Sequence, residues 1–140
     1  MEPKSNINRL LVLDDEEGYL NLMRKVAENV GYAVTCVSSC KDYIQAYFEH
    51  QPTVTVLDIF LEKEDSASVI DFLGRNRFAG HVVFASGFDH RFLKHMSQLA
   101  RDHGLQVLGS IEKAHTFDSL ASYLKSVYIG AIKSDIGTNI

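Results

Sequence analysis

Five short apolar runs, each followed by a stretch with helical spacing, restrict what this chain can fold into. The runs cover residues 7–13, 33–37, 54–60, 81–85 and 105–111, and Leu10, Leu11, Val12 and Leu13 follow one another without a polar break. Continuous aliphatic and β-branched runs, not alternating ones, predict strands buried on both faces. Between them, Tyr19, Leu22, Met23, Val26 and Val30 recur at three and four residues and stop at Gly31. Tyr43, Ile44, Tyr47 and Phe48 form a second stripe ended by Pro52, and Val69, Ile70 and Leu73 form a third. Phe92, Leu93, Met96, Leu99 and Ala100 form a fourth closed by Gly104, and Phe117, Leu120, Leu124 and Val127 form a fifth. Strands alternating with helices imply parallel units joined by right-handed crossovers. The expected fold is α/β: a doubly wound, five-stranded parallel sheet in the order 2-1-3-4-5, with helices on both faces. The 140 residues suit one domain, with a core over about residues 7–128.

Composition narrows the function. Hydrophobic residues make up 46% and charged residues 23%, the balance of a soluble globular chain rather than a disordered one. The net charge is −4 and no basic patch stands out, so nucleic acid is not an expected direct partner. No apolar run approaches the ~20 residues of a membrane span, and the first residues lack a signal-peptide pattern. Cys36 and Cys40 read as reduced, structural thiols of a cytoplasmic protein. The six histidines match no zinc motif.

In a doubly wound sheet the ligand site lies beyond the carboxyl ends of the strands. Strand one ends in Asp14 and Asp15, followed by Glu16 and Glu17; strand three ends near Asp58; strand four ends in Ser86 and Gly87; strand five leads to Lys113. Three aspartates converging on one mouth repel unless a cation sits among them, and such oxygen ligands suit Mg²⁺. A hydroxyl from Ser86 and an ammonium from Lys113 beside that metal would complete a phosphoryl pocket. Each residue has a plainer reading as well. Asp14 or Asp15 could cap the first helix, Ser86 could be a turn residue, and Lys113 a solvated surface lysine. None of these explains Asp58, a charge at the end of a buried run.

The motifs Leu11-Val12-Leu13-Asp14-Asp15, Val56-Leu57-Asp58, Phe84-Ala85-Ser86 and Ile111-Glu112-Lys113 together resemble the receiver domain of two-component response regulators. The resemblance implies a flavodoxin-like fold and Mg²⁺-dependent phosphorylation of Asp58 by a histidine kinase or phosphotransfer protein. It implies metal ligation by Asp15 and Asp58 directly, by Asp14 through water, and by the backbone carbonyl of Phe60. It implies Ser86 and Lys113 as holders of the phosphoryl group, and a downstream effector protein as a partner. The stretch from His103 through Gly109 into Glu112 and Lys113 also looks like receivers associated with cyclic-di-GMP signalling. Four positions depart from the pattern: Glu62 and Ala114 stand for prolines, Ser66 for a glycine, and Ser110 for the aromatic switch residue. Phe60 and Phe88 stand where receivers admit the water that hydrolyses the acyl phosphate, which predicts slow hydrolysis here. If the chain is complete, output runs through a partner or by homodimerisation; if it is a cut from a longer one, the effector lies elsewhere. Two other readings compete. A haloacid-dehalogenase-like phosphohydrolase needs a second acid two residues after its nucleophile, but Asp58 is followed there by Phe60; Asp14 is followed by Glu16 without the surrounding pattern. A nucleotide-binding flavodoxin-like module needs a glycine-rich first loop, where this chain has four acids that would repel phosphates.

Overall fold

The computed structural model describes residues 6–87 and 89–130, apart from the side chains of residues 115–117. Five strands and five helices alternate: β1 Arg9–Leu13, α1 Glu17–Val30, β2 Ala33–Val37, α2 Cys40–His50, β3 Val54–Asp58, α3 Ala67–Arg75, β4 His81–Ser86, α4 His90–Asp102, β5 Gln106–Glu112 and α5 Thr116–Ser126. A single 3-10 turn, Lys113–His115, joins β5 to α5. All strands are parallel in the order β2-β1-β3-β4-β5, the doubly wound sheet that the sequence pattern predicts and the flavodoxin-like topology that the resemblance implies.

Period-two alternation along the strands divides the core into two layers. Leu11, Leu13, Leu57, Val82 and Phe84 point to one face, where Tyr43, Ile70, Leu73, Met96 and Ala100 cover them from α2, α3 and α4. Leu10, Val12, Val54, Val56, Val83 and Ala85 point to the other, where Met23, Ala27, Leu120 and Leu124 cover them from α1 and α5. Each such aliphatic side chain contributes about 1.5–3 kcal/mol by leaving water.

The strands are not all buried on both faces. β1, β3 and β4 are, but β2 is half-buried throughout and β5 is half-buried over most of its length. These are the two edges of the sheet, where one side has no neighbouring strand to cover it. The α2 stripe is also displaced: Tyr43, Ala46 and Tyr47 face inward, while Ile44 and Phe48 stand exposed. Tyr43 takes the central place because its hydroxyl bonds the Thr55 hydroxyl at 2.7 Å, and Thr55 in turn donates to the Leu11 carbonyl at 2.8 Å. Phe117 of the fifth stripe lies among the undescribed side chains.

Register places the strand ends level with one another. Leu13 is paired with Leu57, so the residues that follow them, Asp14 and Asp58, come out side by side. Asp58 is paired with Ala85, one residue short of Ser86, and Ser86 is paired with Glu112, one short of Lys113. A register shift between Val82 and Val83 leaves Leu108 as the extra residue of β5, just ahead of Gly109, whose φ is +157°. A Cβ at Gly109 would lie 2.3 Å from the Tyr123 hydroxyl oxygen, so glycine here admits the α5 ring against the edge strand.

Candidate functional site

Four loops meet at the carboxyl edge of the sheet, each carrying polar groups off the end of a strand. Asp14 is fully buried, and its Oδ1 accepts the Glu16 amide at 2.8 Å in a tight turn ahead of α1. Asp58 is 2% exposed, and its Oδ1 accepts the Phe60 amide at 2.9 Å. One oxygen of each carboxylate is thus fixed by the backbone of its own loop. The other faces the Lys113 ammonium, which lies 3.0 Å from Asp14 Oδ2 and 3.2 Å from Asp58 Oδ2. Glu16 closes the group at 2.6 Å from the same ammonium. Carboxylate oxygens of Asp14, Glu16 and Asp58 all lie within 4.8 Å of one another.

Electrostatics explain how three acids share this space. Burial pushes the Asp58 carboxyl up to about 6, against the stabilising Phe60 amide and with help from the charge on Asp14. Burial also raises the Asp14 carboxyl, opposed by the Glu16 amide and by Lys113. For Lys113 burial works against the charge, but Glu16, Asp14 and Asp58 outweigh it and hold the ammonium protonated well above the ordinary lysine range. The lysine therefore opposes the effect of burial on both Asp14 and Asp58. Asp14 Oδ2 is buried and faces the Lys113 ammonium at 3.0 Å, its one cationic neighbour among the described residues. A buried carboxylate oxygen with the carboxylates of Glu16 and Asp58 beside it, balanced by a single ammonium, fits the donor set of a hard divalent cation such as Mg²⁺.

The other expected residues are placed as follows. Asp15 is exposed, and its Oδ2 accepts the Glu62 amide at 2.7 Å, which ties the first loop to the loop after β3. Glu16 is exposed too, but one of its carboxylate oxygens reaches over to lie within 4.8 Å of those of Asp14 and Asp58. Ser86 is buried at the end of β4, one position past the partner of Asp58. The Phe60 ring is 51% exposed and stacks on Phe92 of α4, with centroids 4.8 Å apart. Phe88 lies outside the described residues. The Lys113–Ala114 peptide bond is trans. Asp15, Glu16, Phe60 and Glu62 border an open cleft of about 870 Å³ beside the carboxylates.

Three residues take structural roles that the sequence did not assign to them. Glu16 reads there as one of a run of acids, and only the turn at Asp14 aims it back at Lys113. Ser66 stands where a glycine was expected, and its hydroxyl donates to the Asp58 carbonyl. Glu64 lies in the loop between β3 and α3, and its Oε1 accepts the Cys40 amide at 2.9 Å at the start of α2. The two thiols are unpaired, and burial raises both, as befits structural cysteines.

No protein-family model matches this chain. The alkaline phosphatase synthesis transcriptional regulatory protein PhoP of Bacillus subtilis is 28% identical over 86 residues, which are 61% of this chain and 36% of that protein. The match thus spans about a third of that relative's length. Among solved structures, a response regulator from Colwellia psychrerythraea superposes with a TM-score of 0.75 at 23% identity, covering 87% of this chain and 97% of its own. The response regulator TrrA of Thermotoga maritima, in complex with Mg²⁺ and BeF, superposes with a TM-score of 0.70 at 18% identity, covering 86% and 98%. With its strand order, its helix placement and this run of superpositions, the chain has the fold of response-regulator receiver domains.

Proposed function

We propose that this chain is a phosphorylatable receiver of a two-component system and that Asp58 is its phosphoacceptor. The observation that carries the reading is a buried carboxylate, Asp58, held 3.2 Å from a lysine and within 4.8 Å of two further carboxylates. Nothing in a purely structural ion pair requires three acids around one lysine.

The Asp58 oxygen attacks the phosphorus of a donor phosphohistidine, supplied by a histidine kinase or a phosphotransfer protein. The P–N bond breaks, its electron pair stays on the imidazole, and the product is an acyl phosphate on Asp58. Asp14, Asp58 and Glu16 would hold Mg²⁺, with Asp15 at the rim and the Phe60 carbonyl as a further ligand. Bound there, the metal would offset the negative charge of the carboxylates and of the phosphoryl oxygens. Ser86 donates its hydroxyl to one phosphoryl oxygen, and Lys113 shifts from Asp58 to another as a point charge. Fixing Asp58 Oδ1 on the Phe60 amide leaves Oδ2 as the reacting oxygen. On this reading the chain catalyses only its own phosphorylation and dephosphorylation, works in the cytoplasm, and signals to an effector protein by contact. No helix among the described residues is long and apolar enough to cross a membrane.

The test is intact mass after incubation with acetyl phosphate and Mg²⁺. One phosphoryl group should appear on the parent, none with EDTA, and none on Asp58→Asn. A full shift in Asp58→Asn would overturn the assignment. Sustained turnover of p-nitrophenyl phosphate would favour a phosphohydrolase instead.

A further inference from the structure

One neighbour of the Lys113 ammonium is not an acid. Its Nζ lies 4.8 Å from the centroid of the Tyr19 ring, within the range of a cation–π contact. Tyr19 and Glu16 belong to one turn: the Tyr19 amide donates to the Glu16 carbonyl at 3.0 Å at the start of α1. The first turn of α1 therefore meets the lysine twice, with the Glu16 carboxylate at 2.6 Å and with the ring three residues later. The ring is not a loose surface group. It is half-buried and packs against the core layer beneath α1 and α5, so its face stays where the helix puts it.

The three carboxylates and the ring act on the ammonium differently. Resting on the reading of Asp58 as a phosphoacceptor, Lys113 must give up Asp58 when the phosphoryl group arrives and metal charge draws on Asp14 and Glu16. Each carboxylate then holds the lysine less well. A ring face competes neither for metal nor for the phosphoryl group, so its attraction persists through the exchange. We propose that Tyr19 is a positioning residue, whose ring holds the Lys113 ammonium over the acidic mouth while its carboxylate partners are taken up by the incoming groups. Lys113 is a side chain with four rotatable bonds at its reaching end. Without the ring the ammonium would be held less firmly over the mouth, and the maximal rate of phosphorylation would fall although metal binding did not.

The experiment compares the parent, Tyr19→Leu and Tyr19→Phe. Phosphorylation by acetyl phosphate is followed by intact mass at saturating donor and saturating Mg²⁺, and Mg²⁺ affinity is measured separately by titration calorimetry. Proton NMR without donor reads the Lys113 ε-methylene shift, which a ring face moves upfield. The expected result is a loss of maximal rate on the order of tenfold in Tyr19→Leu, with unchanged Mg²⁺ affinity and loss of the upfield shift. Tyr19→Phe, which keeps the ring face, restores both the rate and the shift. Equal rates in all three proteins would overturn the proposal, as would equal losses in both variants, which would trace the effect to the hydroxyl or to packing. If the parent itself takes no phosphoryl group, the phosphoacceptor reading fails, a result distinct from either of these.

Discussion

Asp58 combines burial with a need for charge, and the conflict is measurable. Its carboxyl ionises at about 6 in the folded chain against the ordinary value of 3.8, so without metal the folded state holds this proton more tightly than the unfolded one. The contribution of Asp58 to stability is therefore fully present below about pH 4 and lost as pH rises through about 6. Asp58→Asn, assayed by urea denaturation in EDTA, should gain on the order of 1–3 kcal/mol over the parent above about pH 7 and almost nothing at about pH 4. The same gain at both pH values would show that ionisation is not its source. Phe60 allows a second measurement on the phosphorylated protein. Its ring stacks on Phe92 and offers no group to orient a water, so Phe60→Asn should hasten loss of the phosphoryl mass, and oriented water is worth ~10²–10⁴-fold in the best cases. Decay no faster than that of the parent would mean that the ring does not limit access. Ser110, where receivers carry their aromatic switch, instead contributes its carbonyl to the Tyr123 hydroxyl at 3.2 Å.

Among the strands and helices, the edge strand β5 carries the sharpest constraint. Gly109→Ala would drive a methyl group into the Tyr123 hydroxyl and impose a strained φ, so the variant should lose about 1–3 kcal/mol in denaturant melts. Measured against Tyr123→Ala, the added change Gly109→Ala should cost less than it does in the parent, since only its backbone cost would remain. The five strands and their order were legible because apolar runs and helical stripes are local patterns that burial must respect. The α2 stripe was misread for the same reason: Ile44 and Phe48 have the right spacing, but the sheet beneath α2 takes only Tyr43, Ala46 and Tyr47. The site was legible as far as it followed from strand ends, which gave Asp14, Asp58, Ser86 and Lys113 a common edge. The inward turn of Glu16, the outward bond of Asp15 to Glu62 and the reach of Lys113 to Tyr19 depend on how loops distant in sequence approach each other. No period in the sequence records that approach.

The whole fold is closed by Asn8, which is buried just ahead of β1. Its Nδ2 donates to the Ile129 carbonyl at 3.0 Å and its Oδ1 accepts the Ile129 amide at 2.8 Å, a pair of bonds spanning 121 positions. Asn8→Ala removes both and should cost about 1–3 kcal/mol, lowering Tm by several degrees in calorimetry while leaving acetyl-phosphate labelling at the parent rate. A slowed labelling rate would reveal coupling between the two ends of the sheet. This clasp also has a consequence for engineering. It brings the first and last described segments together at the amino-terminal edge of the strands, while the acidic mouth opens at the carboxyl edge. A tether, a reporter or a second protein module attached at Asn8 or Ile129 would start from the edge opposite the mouth. The sequence could equally be rejoined across the clasp by a short bridge and reopened in a connection such as the one after α3, giving a circular permutant with the same sheet and the same mouth.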